Sequence, residues 1–565
     1  MFRRRITSAA LAASAVFTLV MLAVPPAHAA ESLVTNGSPT TPFPQNKQNE
    51  PSVAIDPANP RVVAAGANEE IDEPPCVGSS CPFVQGIGGS GIYFSFNGGA
   101  SWTQPTYTGY GGRDGSPDPG SPIGTLPNYA QNGLVSDGDP VLDFGPAPGA
   151  GGFSWSNGSR LYYANLSANF STVKDDFAFK GFEAIAVSHT DDLRSAAAGS
   201  NSAWSDPVIV SSQKQSSSTF SDKPWLTVDD AATSPHFGNV YVCYSRFRSV
   251  GALPVSISFS RSADGGVTWT KPMALTPSFN SLGAGGRQFC SVQTDSHGVV
   301  YVVWEDSSKK QSVFKLSRSF DGGLTFDSPR AVAQVADVGV FDGVRSISFD
   351  GVAGARTVSA PSLDVANGAP SGSGAPNTLA LGWSDASDGL NHEHAFVQLS
   401  TNGGNTWSAP VAVEQSGDRP DFTAVSLSPD GTDLYTVYDG FLDPFRLDTS
   451  SARRFQGVVR HSDVSGTALS STTTAYRGAV GDARASSANA LIDEFIGDYN
   501  VVAATNAGAV AVFNDARNAA VCPAINVYRQ SIVDGSPITA PSPTTDCPPS
   551  FGNTDIFSST LADPT

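Results

Sequence analysis

Acidic side chains stand directly before several short apolar segments, and such carboxylates could carry out chemistry on a glycosidic bond. One carboxylic acid can protonate the leaving oxygen while a second carboxylate acts as base or nucleophile. Aromatic rings beside the acids, here Trp225 and Tyr499, could stack on the face of a sugar. Polar residues in this position are Glu50, Asp139, Asp222 with Lys223, Arg287 with Gln288, Asp421 and Asp498.

Each of these positions begins a segment that is typical of a β-strand, and two further strand segments follow it. The second recurs seven times, as in "RLYYANL" from position 160 and "NVYVCYS" from position 239. The third also recurs seven times, as in "VSISFS", and its last copy is "INVYRQ" at 525–530. A unit repeated in series indicates a repeat architecture in which stacked neighbours bury the core.

A turn motif follows the third strand in four of the units. It reads "SFNGGASW" from Ser95, "SADGGVTW" from Ser262, "SFDGGLTF" from Ser319 and "STNGGNTW" from Ser400. The Asp or Asn side chain can bond backbone two residues on, and glycine adopts positive φ easily. The motif therefore predicts a hairpin corner closed by an aromatic side chain.

Together these segments predict an all-β chain that forms a single β-propeller of four-stranded antiparallel blades. Seven blades are expected, with six as the alternative. The propeller is expected over 49–545 and a C-terminal tail over 546–565. Within an N-terminal extension at 30–48, residues 31–40 are expected to supply the weak fourth strand of the last blade and close the ring.

The chain ends and the charge indicate an exported, acidic protein. Residues 1–29 combine Arg3–Arg5, an apolar run and Ala27–Ala29 as small residues before a cleavage point, which is typical of a secretory signal peptide. A membrane anchor is the alternative, although the apolar run is short for a span. The net charge of −19 argues against nucleic acid and anionic membrane surfaces as partners.

Six cysteines fit an oxidising compartment. Cys76 and Cys81 could close a small loop, and Cys522 and Cys547 could hold the C-terminal region. Cys243 and Cys290 lie in strand-like segments, where they could pair or remain buried thiols.

The four corners resemble the Asp-box, or BNR, repeat of the sialidase superfamily, and the strand order resembles that group over nearly the whole mature chain. In this family the Asp-box lies on the rim away from the active centre. The resemblance therefore implies a structural role for four sets of residues. These are Ser95, Asn97, Gly99 and Trp102; Ser262, Asp264, Gly266 and Trp269; Ser319, Asp321, Gly323 and Phe326; and Ser400, Asn402, Gly404 and Trp407.

The same resemblance implies a catalytic tyrosine assisted by a glutamate, an aspartate as acid/base, and three arginines for the substrate carboxylate. Tyr499 with Glu494 upstream fits the first pair, and Asp222 and Asp139 are candidate acids. Arg287, Arg345 and Arg419 are the candidate arginines. The family's Arg-Ile-Pro motif is absent from the first blade, where "NEPSVAID" places Glu50 before the proline.

Three functions remain open from the sequence. The first is a secreted glycoside hydrolase, exo-α-sialidase-like, that acts at the central channel mouth on a glycan. The second is a glycan-binding propeller without catalysis, and the third is an adhesive protein. A monomer without a required cofactor is expected. The acids at the strand starts could instead solvate the channel or hold a structural Ca²⁺, since that ion takes several oxygen ligands.

Overall fold

The chain is folded almost wholly from β-strands. This computed structural model describes residues 29–81, 83–171, 177–211, 219–248, 253–277, 286–308, 311–342, 346–351, 359–470 and 472–564. Nearly all of the predicted signal peptide and Arg345 lie outside these residues. Within them, no helix has the length and apolar character needed to span a bilayer.

The described strands form seven antiparallel blades, which confirms the predicted seven-bladed β-propeller. The innermost strand of each blade contacts the innermost strands of its two neighbours, and that of blade 7 contacts that of blade 1. The inner strands therefore surround a central axis, and all begin at the same mouth of the channel. We call this end the first mouth and the other end the opposite mouth.

Blades 1 to 3 run outward from the axis in chain order. Blade 1 comprises Gln48–Ile55, Val63–Glu69 and Ser90–Ser95, and its fourth position holds only isolated bridges, from Phe94 to Thr103 and from Gly91 to Thr125. Blade 2 comprises Leu134–Ser136 and Val141–Pro146, then Ser159–Asn169, Ala184–Thr190 and Val208–Ile209. Blade 3 comprises Thr219–Val228, Val240–Arg248, Leu253–Ser262 and Met273–Ala274.

Blades 4 to 6 follow the same order. Blade 4 comprises Gly286–Thr294, Val300–Ser308, Gln311–Ser319 and Arg330–Val335. Blade 5 comprises Ser362–Val365, Leu379–Asp385, His394–Ser400 and Val411–Ala412. Blade 6 comprises Arg419–Leu427, Asp433–Phe441, Arg454–Ser465 and Thr473–Arg477, with the short Ala468–Leu469 and Gly481–Asp482 also paired to its third strand.

Blade 7 is assembled from both ends of the described chain. Its order from the axis outward is Val501–Thr505, Gly508–Asp515, Asp555–Ala562 and Ala30–Leu33. The N-terminal strand pairs antiparallel with the last one, with Ala30 opposite Thr560 and Leu33 opposite Phe557. The ring is thus closed by hydrogen bonds between the two ends.

Two expectations for this blade are wrong. Residues 525–530 were expected as its third strand, but they belong to the α-helix Pro523–Val533, which begins with proline in the first turn. Its buried residues Ile525 and Arg529 are four apart, a helical spacing that a short apolar segment does not reveal. The third strand is Asp555–Ala562, so residues 546–565 are part of the propeller rather than a tail.

The remaining elements lie in the loops that connect the blade strands. Three hairpins pair Tyr107–Gly111 with Asp118–Ile123, Pro148–Gly149 with Gly152–Phe153, and Val340–Asp342 with Ser346–Ser348. The other α-helices of the described chain are Leu193–Ala197 and Pro543–Asp546. Its 3₁₀ turns include Ala130–Asn132, Trp155–Asn157, Asn201–Ala203 and Ala483–Ala485.

Three disulfide bonds cross-link the described chain, one of them between neighbouring blades. Cys243 and Cys290 are bonded, which links the second strand of blade 3 to the inner strand of blade 4. Cys76 is bonded to Cys81, and Cys522 to Cys547. The last bond fixes the start of the helix Pro523–Val533, which is inserted between two strands of blade 7.

The four repeated corners have one geometry, shown here by the copy in blade 4. Ser319 Oγ donates to Asp321 Oδ1 at 2.8 Å and accepts from the backbone N–H of Gly323 at 2.7 Å. Asp321 Oδ1 also accepts from the N–H of Thr325 at 2.9 Å. Asn97 and Asn402 make the equivalent bonds in blades 1 and 5. The side chain at this position therefore holds the turn.

The glycine and the aromatic residue of the corner also pack against the preceding blade. Gly323 has a φ of 82°, and a Cβ at this position would lie 2.9 Å from the ring of Phe259 in blade 3. The ring of Phe326 packs edge-on against the same Phe259 ring, with centroids 4.9 Å apart. Trp102 in blade 1 likewise donates to Ser558 in blade 7 at 2.9 Å. Each motif thus builds an interface as well as a turn.

Replacing Asp321 with alanine is expected to lower the free energy of unfolding by about 1–2 kcal/mol, because backbone N–H groups of the corner lose their acceptor. Asp321→Asn is the matched control and should retain most of the stability, since asparagine already fills this position in two other corners. Urea unfolding of the two variants measures the difference. Equal losses in both would contradict a role based on hydrogen bonding.

Candidate active site

A shared backbone irregularity orients the residues at the first mouth. In several blades the inner strand contains a β-bulge near its start, as between Asp222 and Trp225. The bulge residue has a left-handed backbone, which a side chain adopts only when the surroundings enforce it. The residues with this conformation are Glu50 (φ 53°), Asp139 (φ 50°), Lys223 (φ 52°), Phe289 (φ 50°) and Phe422 (φ 53°). The first three converge at the channel mouth.

Lys223 lies at the centre of a cluster of carboxylates that the sequence places in four different blades. Its Nζ is 2.7 Å from Asp498 Oδ2, 2.9 Å from Asp139 Oδ2, 3.6 Å from Glu50 Oε1 and 4.0 Å from Asp222 Oδ1. We call these five residues the mouth cluster. The lysine supplies a positive charge that the buried acids require.

The residues of the mouth cluster differ in how far their pKa values are shifted, and in which direction. Burial, and then the charge of Asp139, raise the pKa of Glu50 well above its usual range. Burial also opposes ionisation of Asp139, but Lys223 and a hydrogen bond from Glu50 outweigh it and hold its pKa below the usual range. The Lys223 amine is desolvated too, yet Asp139 and Asp498 raise its pKa. Glu50 therefore holds its proton more tightly than Asp139 does.

Tyr499 borders the mouth cluster as a neutral phenol. The Lys223 Nζ lies 5.9 Å from the centre of its ring. Burial, followed by the charges of Asp139 and Glu50, raises the pKa of Tyr499 well above its usual value. A tyrosine in this state attacks a sugar only if a base removes its proton.

A cavity of about 430 Å³ lies beside the mouth cluster between blades 1 and 2. We call it the blade 1–2 cavity. Asn68 joins the two features, because it lines the cavity and donates to Glu50 Oε2 at 3.0 Å. The volume falls within the range of small-molecule sites. The acidic residues of its lining are Glu70, Glu73, Asp137 and Glu183.

These lining carboxyls differ in how readily they ionise. Desolvation of the carboxyl, and then the charge of Asp139, raise the pKa of Asp137 to about 6, so most of this group is ionised at pH 7. Desolvation and the charge of Asp137 raise the pKa of Glu183 well above its usual value. Burial raises the pKa of Glu73 to about 8. One cavity therefore presents an ionised and a protonated carboxyl, as general acid–base chemistry requires.

One exposed aromatic ring lies at the edge of the same cavity, and a second is a chain neighbour of a lining residue. Phe83 lines the cavity and is 64% exposed, and Phe182, next to Glu183 in the chain, is 61% exposed. Their flat faces could pack on the apolar face of a sugar ring.

Trp225 separates the two ends of the channel. It lines small cavities of about 40 Å³ that it shares with Tyr499, and also a cavity of about 400 Å³ at the opposite mouth. Asp143, Asp230 and Asp364 line that opposite cavity. Trp225 thus packs across the axis rather than at the first mouth.

Other residues expected at a site have partners elsewhere. Arg419 binds Glu393 with an N–O distance of 2.8 Å, and Arg287 pairs with Asp306 at 3.4 Å. Asp421 Oδ1 accepts from the N–H of Phe422 at 3.0 Å and is buried.

Glu494 belongs to a different cluster from Tyr499. It is fully buried and lies 3.9 Å from Arg529 of the helix Pro523–Val533. Burial, and then the charge of Asp350, raise its pKa well above the usual range. The structure therefore does not place it as the partner of the tyrosine.

Sequence reasoning missed the carboxylates of the blade 1–2 cavity. Asp137 follows the short strand Leu134–Ser136, and Glu183 precedes the strand Ala184–Thr190. Neither position repeats from blade to blade, so no periodic pattern marks them. The dense acidic run "NEEIDEPP" at 68–75, which contributes Glu70 and Glu73, was the available signal.

Comparisons with known proteins give only distant likenesses. No family model matches the chain, and no curated protein matches it. Among solved structures, the Hadza microbial sialidase Hz136 is 13% identical over 69% of this chain and 63% of its own, with a TM-score of 0.38. The chain thus covers less than two thirds of that protein.

Two further structures are similar at the same level. The intramolecular trans-sialidase from Ruminococcus gnavus is 12% identical over 72% of this chain and 93% of its own, with a TM-score of 0.39. The α-L-arabinofuranosidase Arb93A from Fusarium graminearum is 12% identical over 60% and 93%, with a TM-score of 0.33. Values this low leave the reaction open.

Proposed function

We propose that the protein is a glycoside hydrolase whose active site is the blade 1–2 cavity at the first mouth. The observation that supports this most is that one cavity holds Asp137, with a pKa of about 6, and Glu183, whose pKa desolvation and the charge of Asp137 raise well above its usual value. In the proposal Glu183 protonates the leaving oxygen and Asp137 acts as base or nucleophile. Phe83 packs against the sugar.

The charge of the site favours a neutral glycan over a sialate. Asp137 and the neighbouring mouth cluster would repel a substrate carboxylate. The described arginines Arg287 and Arg419 already bind carboxylates. An exo-α-sialidase would need a cationic clamp, which Arg345 alone does not supply. We also propose that the protein acts as a monomer outside the cytoplasm, since its disulfides suit an oxidising compartment.

Asp137→Asn and Glu183→Gln are expected to lower hydrolysis of a neutral fluorogenic glycoside by about 10²–10⁴-fold, the usual contribution of a general acid or base. The rate of the unmodified protein should rise as the pH passes about 6, because Asp137 must lose its proton. A panel of neutral glycosides and one α-sialoside, incubated with the mature protein, measures both effects.

Asp534→Asn, at an exposed position after the helix Pro523–Val533, is the matched control and should leave the rate unchanged. Release from the α-sialoside that is lost in Tyr499→Phe but kept in Asp137→Asn would overturn the carboxylate pair in favour of a tyrosine nucleophile. Saturable binding of a glycan without any product would overturn hydrolysis and establish a binding propeller.

A further inference from the structure

A second group of potential ligands lies far along the chain from the proposed active site, between blades 6 and 7. Asp433 begins the second strand of blade 6, His461 lies in its third strand, and Asp563 directly follows the last strand of blade 7. One ligand atom from each of these three residues lies within 4.8 Å of the other two. Strand pairing fixes Asp433 and His461, and the N–H of Asp563 donates to the carbonyl of Ala507 at 2.9 Å.

The surroundings of this group show a polar atom without a protein partner. Tyr435 lies opposite His461 across the two strands, with ring centroids 5.0 Å apart. The Tyr435 side chain is fully buried, and its hydroxyl has no hydrogen-bond partner among the described residues. A buried hydroxyl left unpaired costs free energy unless a ligand satisfies it.

We propose that Asp433, His461 and Asp563 bind one divalent transition-metal ion, with Zn²⁺ as the best match. Zinc takes an imidazole nitrogen and carboxylate oxygens at about 2.0–2.2 Å, whereas Ca²⁺ takes oxygen ligands only. His461 Nε2 and Asp433 Oδ1 are hydrogen-bonded at 2.9 Å, and the ion would take the place of the proton between them. The Asp433 Oδ2 accepts from Thr432 Oγ1 at 2.7 Å, a contact that orients the carboxylate as outer partners of metal ligands do.

The proposed ion would link blade 7, where the ring closes, to blade 6. Blade 7 receives its outermost strand from the N-terminal end, and Asp563 follows the strand to which that segment pairs. A metal bridge from Asp563 to blade 6 would hold this blade in place by a second means. The site does not depend on the proposed hydrolysis.

The test uses the mature protein after treatment with a chelator, titrated separately with Zn²⁺ and Ca²⁺ in a calorimeter. We expect one Zn²⁺ per chain, weaker or no binding of Ca²⁺, and a Tm that rises by a few degrees with Zn²⁺. Asp563→Asn should weaken Zn²⁺ binding by about 100-fold or more and abolish the rise in Tm. This residue lies after the last strand, so the variant is expected to fold, which circular dichroism checks.

Asp388→Asn is the matched control. His394 also contacts two carboxylates, but Asp388 lies at Nε2 and Glu414 at Nδ1, on opposite sides of the ring, so one ion cannot bind all three. This variant should bind Zn²⁺ as the unmodified protein does. Absence of stoichiometric binding, equal binding by Asp563→Asn, or a preference for Ca²⁺ would overturn the proposal.

Discussion

Replacing Lys223 with methionine is expected to lower the free energy of unfolding by about 3–5 kcal/mol. The substitution keeps an apolar stem of similar size but removes the one cation of the mouth cluster. Asp139, about 5% exposed, is then a buried anion without the ammonium that lies 2.9 Å away, and Asp498 loses a contact of 2.7 Å with the same ammonium. Removing one partner of a buried ion pair costs this amount because the remaining charge is uncompensated. Urea unfolding at pH 7 measures the loss.

Two further variants separate this effect from a general loss of packing. Lys223→Met/Asp139→Asn should recover part of the stability, because the uncompensated charge of Asp139 is gone. Lys271→Met, at an exposed position on the outer part of blade 3, should change stability by less than about 0.5 kcal/mol. A loss below about 1 kcal/mol in Lys223→Met would mean that water, rather than lysine, stabilises the acids.

The free energy of unfolding is expected to fall as the pH rises from about 5 to 8. Burial raises the pKa of Asp229 to about 7 and that of Glu305 to about 8. The folded state therefore holds protons that the unfolded chain has released, so stability is highest below about pH 4 to 5 for these groups and declines through their folded pKa values. The cost from Glu305 at high pH is on the order of 5 kcal/mol.

Urea unfolding at pH 5, 6, 7 and 8 measures this slope, and Glu305→Gln should flatten its upper part. The exposed Asp534→Asn should leave the slope unchanged. The corner residue Asp321 has the opposite effect on stability, at lower pH. Burial resists its ionisation, but hydrogen bonds from Thr325 and Ser319 lower its pKa to about 2, so its ionised form stabilises the folded state. Its contribution is lost only in strong acid. A stability that rises from pH 5 to 8 would contradict burial as the dominant influence.

The sequence could predict the blades because their information is local and repeated. Each corner lies within eight consecutive residues, and Ser319, Asp321 and Gly323 bond to one another without help from distant segments. The third strand of blade 7 could not be read in the same way. The inserted helix Pro523–Val533 separates this strand, Asp555–Ala562, from the second strand of the blade, and no corner motif follows it in the sequence.

The residues of the candidate site also fall into two groups: those at a position that repeats from blade to blade, which the sequence could predict, and those in single loops, which it could not. Glu50, Asp139, Asp222 and Asp498 were identified together because they occupy one position of a repeating unit, and the structure brings them around Lys223. Their pKa differences could not be inferred, because these depend on distances between blades. The cavity carboxylates belong to loops of one blade each. Only the fold places Asp137 near Glu183.

The pairing of Ala30–Leu33 with Asp555–Ala562 also sets the order in which the molecule can assemble. Ala30 lies opposite Thr560, so this contact joins residues 530 positions apart in the chain (560 − 30). Contacts between such distant residues form slowly, because the chain between them must first be ordered. Until the last strand has been made, the N-terminal segment has no partner and blade 7 keeps an open edge. The slowest step of folding is therefore expected to be closure of the ring, and the incomplete chain is the form most exposed to aggregation.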